Sequence, residues 1–380
     1  MKRLLLLTLL FPVLVNAQNI YTVSNVPGAS ANYKTLQGAH DSVAAGSILY
    51  VLPSSFSYGD VVFKKKLTVY GTGFFLGQNT EPNTQASTAP VTIGGITFAP
   101  GSDNSFIEGL QLNFRNTNAN EQRITLDTVS NITISRCLLV SNDYGAYGGN
   151  NNFFIINGAN NCIIKQCYIQ NTNGYDGDEL INYNSGNGAQ PNFSGIQFLN
   201  NILDWAALGA NGFRVGPAGN GGFPAGTSDV KFVNNVFVID LKWGYFGNLN
   251  YTNNIFVNID TTQTIDSSQS YLNGTNLNNV TNARTLFPVK GNNYLNANLK
   301  TMFASGIAGF HSIDQQYQLQ AGSFANTYGQ GGVAVGAFGG SAPYVLSGIP
   351  NIPFIYDLSV PAQATAPGTI SVHIKAHASN

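Results

Sequence analysis

Apolar and polar residues alternate in short segments that recur along the chain. Each segment begins with Asn or another small or polar residue, continues with alternating apolar residues, carries a polar pair and ends in a second apolar stretch. Six segments follow this pattern, at residues 104–112, 131–139, 161–169, 195–203, 229–237 and 248–256. A period of two is typical of β-strands, so each segment predicts two short strands joined by a bend.

The spacing of the segments predicts a solenoid. Equivalent positions are separated by 27, 30, 34, 34 and 19 residues, which suits stacked units whose loops vary while their strands stay in register. A third strand is expected about eight residues before several segments. These third strands are predicted at 123–127, 153–157 and 240–244, and residues 178–183 and 212–215 take the same position in longer units. Three strands per turn predict a triangular coil.

Pairs of asparagines mark the bend in three units. They are Asn200-Asn201, Asn234-Asn235 and Asn253-Asn254. Asn tolerates the left-handed backbone conformation, and its amide is able to hydrogen-bond to an Asn in the next layer. The pattern therefore predicts a ladder of stacked asparagines along this bend.

Other β architectures fit the chain less well. A β-sandwich requires hairpin turns every 8–12 residues, and a propeller requires four strands per blade. A fold with alternating strands and helices requires amphipathic helices, whereas the intervening loops are rich in Gly and Asn. The sequence thus predicts an all-β fold, a parallel β-helix.

The two ends of the chain differ from the repeated units. Residues 1–17 have a basic start, an apolar run over 4–15 and small residues before 18, which is typical of a secretory signal peptide. Residues 33–45 predict an amphipathic helix that caps the first turn. We therefore divide the chain into a signal peptide, a β-helix domain over 18–342, and a proline-rich linker with a small C-terminal hairpin over 343–380.

Two runs resemble the pectin-lyase-like superfamily of right-handed parallel β-helices. They are YKTLQGAHDSVAAGSILYVLPSSFSYGDVVFKKKLTVYGTG near the start and YQLQAGSFANTYGQGGVAVGAFGG near the end. The resemblance implies a groove beside the early strands in which polysaccharide binds. The superfamily includes lyases, glycosidases, esterases, tailspikes and adhesins, so the resemblance does not fix an activity. The motifs of its pectin esterases and polygalacturonases are absent here.

Composition removes several functional classes. Charged residues make up 9% of the chain and the net charge is -1, so the chain lacks the basic surface of a nucleic-acid-binding protein. No apolar run after the signal peptide is long enough to cross a bilayer. The three cysteines, Cys137, Cys162 and Cys167, do not have zinc-binding spacing. Because Cys137 and Cys167 occupy equivalent inward positions with parallel side chains, we expect free thiols there.

Several of the few charged residues fall on the early strand of each unit. In residues 123–127, alternation directs Ile124 and Leu126 inward and the charged residues outward. The candidate catalytic residues are Arg123, Asp127, Glu179, Arg214, Asp240 and Lys242. Carboxylates beside basic groups suit proton abstraction by a lyase, and two carboxylates about 5–10 Å apart suit glycosidic hydrolysis. The alternative interpretation is a solvated face without chemistry.

Insertions after equivalent strands predict loops that line one groove. Tyr144, Tyr147 and Tyr175 lie in these loops and are candidates for stacking on sugar rings. Asp176, Asp178 and Glu179 form an acidic cluster, which makes calcium the candidate cofactor through oxygen ligands. The cluster does not have the spacing of an EF-hand loop.

Three functions are compatible with these features. The first is a secreted or surface-associated protein, with the periplasm as the alternative location, that binds carbohydrate without catalysis. The second is a polysaccharide lyase or glycoside hydrolase that uses the charged residues along the first sheet. The third is a structural or adhesin-like surface protein. The sequence favours the first, with polysaccharide as the partner.

Overall fold

The computed structural model describes most of the chain after the predicted signal peptide. The described residues are 19–114, 116–117, 120–121, 123–141, 152–172, 179–182, 193–205, 215, 228–239, 249–258, 292–363 and 368–377. Residues 1–17 lie outside this set, so the signal peptide stays a prediction.

Short strands make up most of the described secondary structure. In chain order they are β1 (Ile20–Val23), β2 (Ile48–Val51), β3 (Val61–Phe63), β4 (Thr68–Tyr70), β5 (Thr92–Ile93), β6 (Ile96–Phe98), β7 (Phe106–Glu108), β8 (Gln111–Phe114), β9 (Asn116–Thr117), β10 (Asn120–Glu121), β11 (Ile124–Asp127), β12 (Thr133–Ser135), β13 (Leu138–Ser141), β14 (Asn152–Asn157), β15 (Ile163–Lys165), β16 (Tyr168–Asn171), β17 (Glu179–Asn182), β18 (Phe193–Leu199), β19 (Ile202–Asp204), β20 (Ser228–Val233), β21 (Val236–Ile239), β22 (Asn250–Thr252), β23 (Ile255–Asn258), β24 (Tyr294–Ala297), β25 (Phe354–Ser359) and β26 (His373–His377).

Three parallel sheets form the sides of a coil. Sheet 1 has the order β17-β14-β11-β6-β3, sheet 2 the order β1-β2-β4-β7-β12-β15-β18-β20-β22, and sheet 3 the order β24-β23-β21-β19-β16-β13-β8-β5. Each strand pairs in parallel with its equivalent one turn away, as when Ile134 aligns with Ile107 on one side and Ile164 on the other. Parallel crossovers are almost always right-handed. The predicted right-handed parallel β-helix is confirmed.

The interior of the coil is built from columns of similar side chains. Phe232 stacks between Phe198 and Tyr251 with ring centroids 4.8 and 4.9 Å apart. Phe237 stacks on Phe256 at 4.6 Å. These spacings equal the distance between neighbouring strands, so the register that pairs the backbones also brings matching rings together.

The bend between sheets 2 and 3 contains the predicted asparagine ladder. The first Asn of each pair, at 200, 234 and 253, has a positive φ of 54°, 59° and 53°. The second Asn points inward: the Asn201 amide donates to Asn235 Oδ1 at 2.9 Å, and Asn235 donates in the same way to Asn254. Asn293 continues the ladder. The predicted ladder is confirmed. The first Asn of each pair adopts the left-handed conformation, and the second forms the hydrogen bonds of the ladder.

A segment without regular strands covers the outer face of sheet 3. We call residues 298–350 the return segment, because it runs back along the coil after β24. It contains a one-turn helix, α2 (Leu299–Met302), and short 3₁₀ turns at Ala304–Gly306, Gln315–Tyr317, Phe324–Asn326 and Leu346–Gly348. Its apolar residues pack on outward side chains of sheet 3 such as Tyr168, Ile202 and Val236, which are almost fully buried.

The left-handed corner residues hold the return segment in place. Asn200 donates to the carbonyls of Ala334 and Gly336 at 3.1 and 3.0 Å. Two coils away, Asn253 donates to Tyr328 O at 2.8 Å. In the opposite direction, Arg136 donates to Pro343 O at 2.9 Å. Residues 343–350, assigned from the sequence to the linker, thus pack on the coil as part of the return segment.

A buried carboxylate adds a second anchor for the return segment. Asp204 at the end of β19 accepts hydrogen bonds from Tyr168 at 2.7 Å and from Tyr317 of the return segment at 2.8 Å. Burial, together with the negative charge of Asp204, raises the pKa of both tyrosines well above the ordinary value. Both tyrosines therefore remain protonated donors over the physiological pH range.

The N-terminal helix α1 (Leu36–Ser42) caps the coil, but it is shorter than the predicted 33–45. Thr35 is the N-cap and accepts from Gly38 N, while Val43 is extended and turns into the core. His40 is buried, and its Nε2 accepts from Lys64 N at 2.9 Å, so its role is structural. Across the described residues, no helix has both the length and the hydropathy needed to span a membrane.

The three cysteines are free and buried. Cys137 and Cys167 precede the aligned residues Leu138 and Tyr168, so they occupy equivalent positions on neighbouring coils. Burial raises the pKa of Cys162 to about 11 and that of Cys137 well above its ordinary value. The expectation of free thiols is confirmed, and these thiols pack as small apolar groups.

The chain ends in the predicted C-terminal hairpin. β25 and β26 pair antiparallel, with Leu358 aligned with Ile374. Residues 364–367, between the two strands, lie outside the described residues. β9 and β10 form a second short antiparallel pair between β8 and β11.

We expect Asn235→Ala to lower the free energy of unfolding by about 3 kcal/mol, because it removes the buried hydrogen bonds that the Asn235 amide makes with Phe198 O, Asn201 N and Asn254 Oδ1. The measurement is a shift in the denaturation midpoint. Asn250→Ala is the matched control: Asn250 is exposed on sheet 2, and its loss should change stability by less than about 0.5 kcal/mol. Equal effects of the two substitutions would show that the ladder does not stabilise the coil.

Candidate functional site

The outer faces of the three sheets differ in what reaches solvent. The return segment buries the outer face of sheet 3. The outer faces of sheets 1 and 2 carry side chains that are partly exposed in the described residues. A ligand that lies along the coil therefore has these two faces to contact.

Sheet 1 carries polar side chains on successive coils. β11 directs Ile124 and Leu126 into the core, fully buried, and leaves Thr125 and Asp127 partly exposed on the outside. Thr97 aligns with Thr125. We define face 1 as the partly exposed polar residues of this sheet: Thr97, Arg123, Thr125, Asp127, Asn157 and Asn182.

The register of sheet 1 arranges face 1 in two columns. Thr97, Thr125, Ile155 and Asn182 align across four neighbouring strands, while Asp127 aligns with Asn157. Each step along a column is about 4.8 Å, the spacing of paired strands. The first column is interrupted at β14 by Ile155, which is 8% exposed. Face 1 thus presents hydroxyl, amide and charged groups at multiples of the strand spacing along the coil axis.

The predicted carboxylates Asp127 and Glu179 are not close to each other. Glu179 aligns with Asn152, whereas Asp127 aligns with Asn157 of the same strand, β14. Five residues along the strand and two strand steps put their Cα atoms about 19 Å apart. Paired carboxylates of glycosidases are about 5–10 Å apart. Glu179 is also only 1% exposed, whereas Asp127 accepts from the Thr128 hydroxyl on the surface.

The other candidate residues lie outside the described residues. They are Arg214, Asp240 and Lys242 of the charged strip, the loop tyrosines Tyr144, Tyr147 and Tyr175, and the acidic residues Asp176 and Asp178. Within the described part of the chain, no group of three His, Cys, Asp or Glu side chains is placed to hold a metal ion. The catalytic, sugar-stacking and calcium roles of these residues stay predictions.

Sheet 2 carries an aromatic strip that the sequence analysis missed. Tyr50 and Tyr70 align on neighbouring strands with ring centroids 5.7 Å apart, and Phe106 on the next strand lies 5.8 Å from Tyr70. All three are partly exposed. The signal was available: in each of these strands the aromatic residue alternates with buried Leu49, Val69 or Ile107.

The aromatic strip borders a buried ion pair. Glu108 aligns with Tyr70 and accepts from the Ser135 hydroxyl at 3.2 Å, with Arg136 Nε 3.6 Å from the same carboxylate oxygen. Burial raises the pKa of Glu108, and the Arg136 guanidinium offsets part of that rise. Burial also raises the pKa of Tyr70, with the Glu108 charge acting in the same direction. Arg136 also donates to the carbonyls of Ala342 and Pro343, so the ion pair lies beside the return segment.

No protein-family model and no curated protein matches the chain by sequence. Among solved structures, a rhamnogalacturonan lyase matches with 14% identity and a TM-score of 0.39, covering 63% of this chain and 74% of that one. A pectin methylesterase in complex with a hexasaccharide has 10% identity and a TM-score of 0.29, with 72% and 98% covered. A pectate lyase has 11% identity and a TM-score of 0.24, with 82% and 92% covered. At such low similarity no activity carries over.

We expect Glu108→Gln to become more stable relative to the wild type as pH rises from about 4 to about 8. The raised pKa means that the folded state holds the Glu108 proton more tightly than the unfolded chain does. Ionisation above the unfolded value therefore favours unfolding of the wild type, and glutamine does not ionise. Denaturation of both proteins across this range measures the effect. A difference that is constant or that falls with pH would contradict the raised pKa.

Proposed function

We propose that the chain is a secreted or surface-associated protein that binds an extended polysaccharide along face 1 without cleaving it. One observation carries the proposal: hydrogen-bonding side chains recur on face 1 at the spacing of the coils, as with Thr97 and Thr125. An extended sugar polymer also repeats its hydroxyl groups along one axis. A solenoid that repeats donors and acceptors is therefore suited to contact several sugar rings in the same way.

The residue types on face 1 support this proposal. Asn and Thr side chains both donate and accept hydrogen bonds, as sugar hydroxyls do, and Arg and Asp form stronger charge-assisted bonds. Arg123 directly precedes β11 and Asp127 ends it, four positions apart, and alternation puts both on the outer side with Thr125. A ligand across β11 would meet a donor, a hydroxyl and an acceptor in turn.

Binding without cleavage is the simpler function for these residues. Hydrolysis requires two carboxylates close enough to act on one glycosidic bond, and Asp127 and Glu179 are not. A lyase or hydrolase would need Arg214, Asp240 or Lys242 as its second catalytic residue, and these three lie outside the described residues. The proposal therefore needs only the contacts that face 1 provides.

We expect Arg123→Ala/Asp127→Ala to weaken polysaccharide retention at least about tenfold, which corresponds to about 1.4 kcal/mol, because two charge-assisted contacts are lost. Affinity electrophoresis through gels containing pectin, rhamnogalacturonan or a neutral glucan measures retention, with and without calcium because of the predicted acidic cluster. Asp229→Ala/Lys231→Ala is the matched control: it removes one charge of each sign from sheet 2, where the two side chains are 44% and 46% exposed.

The outcomes separate the three functions. Retention that falls only in the face 1 variant supports binding at face 1. Equal retention by the wild type and both variants contradicts face 1 as the site. An increase in absorbance near 235 nm, which marks an unsaturated lyase product, or released reducing sugars would show an enzyme. Failure to retain any of the polymers favours the structural or adhesin-like alternative.

A further inference from the structure

The C-terminal hairpin exposes one apolar face. In the register of β25 and β26, Ile355 aligns with Ala376 and Leu358 with Ile374. Ile374 and Ala376 are two residues apart on β26 and therefore share one side, and a register shift between Ile355 and Asp357 brings Ile355 and Leu358 of β25 to that same side. Val360 follows β25 and Val372 precedes β26, so the two continue that side one step further. The exposed fractions of the larger side chains are 41% for Ile355, 48% for Leu358, 55% for Val360, 51% for Val372 and 55% for Ile374. We call these six residues the hairpin face.

The opposite side of the hairpin carries its polar groups, and these are paired within the chain. Lys375 lies 3.0 Å from Asp357 and 3.0 Å from Glu81, which precedes the coil strand β5. His373 lies 3.7 Å from Asp357. In addition, Ala86 N donates to Ile355 O at 3.0 Å. The hairpin is therefore attached through its polar side and edge, and its apolar side is turned away from the described part of the coil.

The hairpin turns its polar side towards the coil and leaves its apolar side in solvent, whereas stability requires that the apolar side be buried. A two-stranded hairpin is marginally stable in water unless its apolar side is covered. Contiguous exposed apolar surface of this kind marks an interaction site in soluble proteins. The described residues of the chain provide no cover for the hairpin face.

We propose that a second copy of this chain covers the hairpin face, apolar side against apolar side. A two-fold interface requires a patch that complements itself. Aliphatic residues without a charge or hydrogen-bonding side chain meet this requirement, and the charges that would select an unlike partner are paired on the other side. Two hairpins in this arrangement form a small two-layered sandwich with the usual spacing of about 10 Å.

The size of the face indicates the strength of the contact. Five aliphatic side chains that are about half exposed, with Ala376, amount to roughly 400 Å² per copy, near half of the ~800 Å² that each partner buries in a standard interface. Two copies would together bury roughly 800 Å², less than the ~1,000 Å² that a stable interface clears, so the contact is that of a weak and reversible dimer. The coils themselves need not touch.

Sedimentation velocity of the full chain from about 1 to about 100 μM tests the proposal, a range that brackets a micromolar dissociation constant. We expect a concentration-dependent dimer for the wild type and at least tenfold weaker dimerisation for Leu358→Lys. The matched control is Ser359→Lys, which adds the same charge to the next residue, exposed on the opposite side, and should leave the dimer unchanged. Circular dichroism melting confirms that the coil remains folded in both variants.

Cross-linking provides a second test that does not introduce a charge. Ile374→Cys should cross-link between copies with a short bifunctional maleimide, whereas His373→Cys on the opposite side should not; the three native thiols are buried. A wild type that remains monomeric at about 100 μM would overturn the proposal, including the case in which the monomer binds phosphatidylcholine vesicles. A dimer that Leu358→Lys leaves intact, or equal cross-linking at both positions, would also overturn it.

Discussion

A buried amide in this coil is satisfied only if the next coil presents a matching amide at the same height. Asn235 accepts from Asn201 below and donates to Asn254 above, while its amide also reaches the carbonyl of Phe198. Slipping the register by one residue would break every one of these bonds at once and leave the groups without water, which costs far more than a single surface contact. The loops between strands are free to vary because the ladder holds the register.

The same register creates the surface on which the return segment binds. The corner residue before each ladder position adopts a positive φ, which turns its side chain outward at the same place on every coil. Arg136, Gln166, Asn200 and Asn253 then all donate to backbone carbonyls of the return segment. A segment without strands of its own is ordered in this way, because its backbone carbonyls accept hydrogen bonds from side chains of successive coils. Because the return segment covers the outer face of sheet 3, the outer faces of sheets 1 and 2 are the ones that remain exposed.

Period-two alternation was enough to predict the described strands of the repeats, their stacking and the ladder, since each depends on local pattern and on one repeated contact. The third strands predicted at 212–215 and 240–244 lie outside the described residues, apart from residue 215. The cap helix was predicted too long because Val43, although apolar and at helical spacing, packs in the core in an extended conformation. The return segment was missed for a different reason. Its contacts, such as Tyr317 with Asp204 across 113 residues, follow no period, so no local pattern signals them. The aromatic strip was missed because its three members occur in different repeats.

The geometry of a solenoid also explains why outward charges need not form a catalytic pair. Side chains on one face are about 4.8 Å apart between coils and about 6.6 Å apart along a strand, so two carboxylates meet only if they occupy neighbouring positions of this lattice. Asp127 and Glu179 share a sheet but differ by two coils and five residues. Counting charges on a predicted strand therefore overestimates how many act together, whereas repeated hydroxyl and amide groups keep their spacing whatever the loops do. Regular repetition favours recognition of a polymer, and catalysis requires an irregularity that brings two particular groups together.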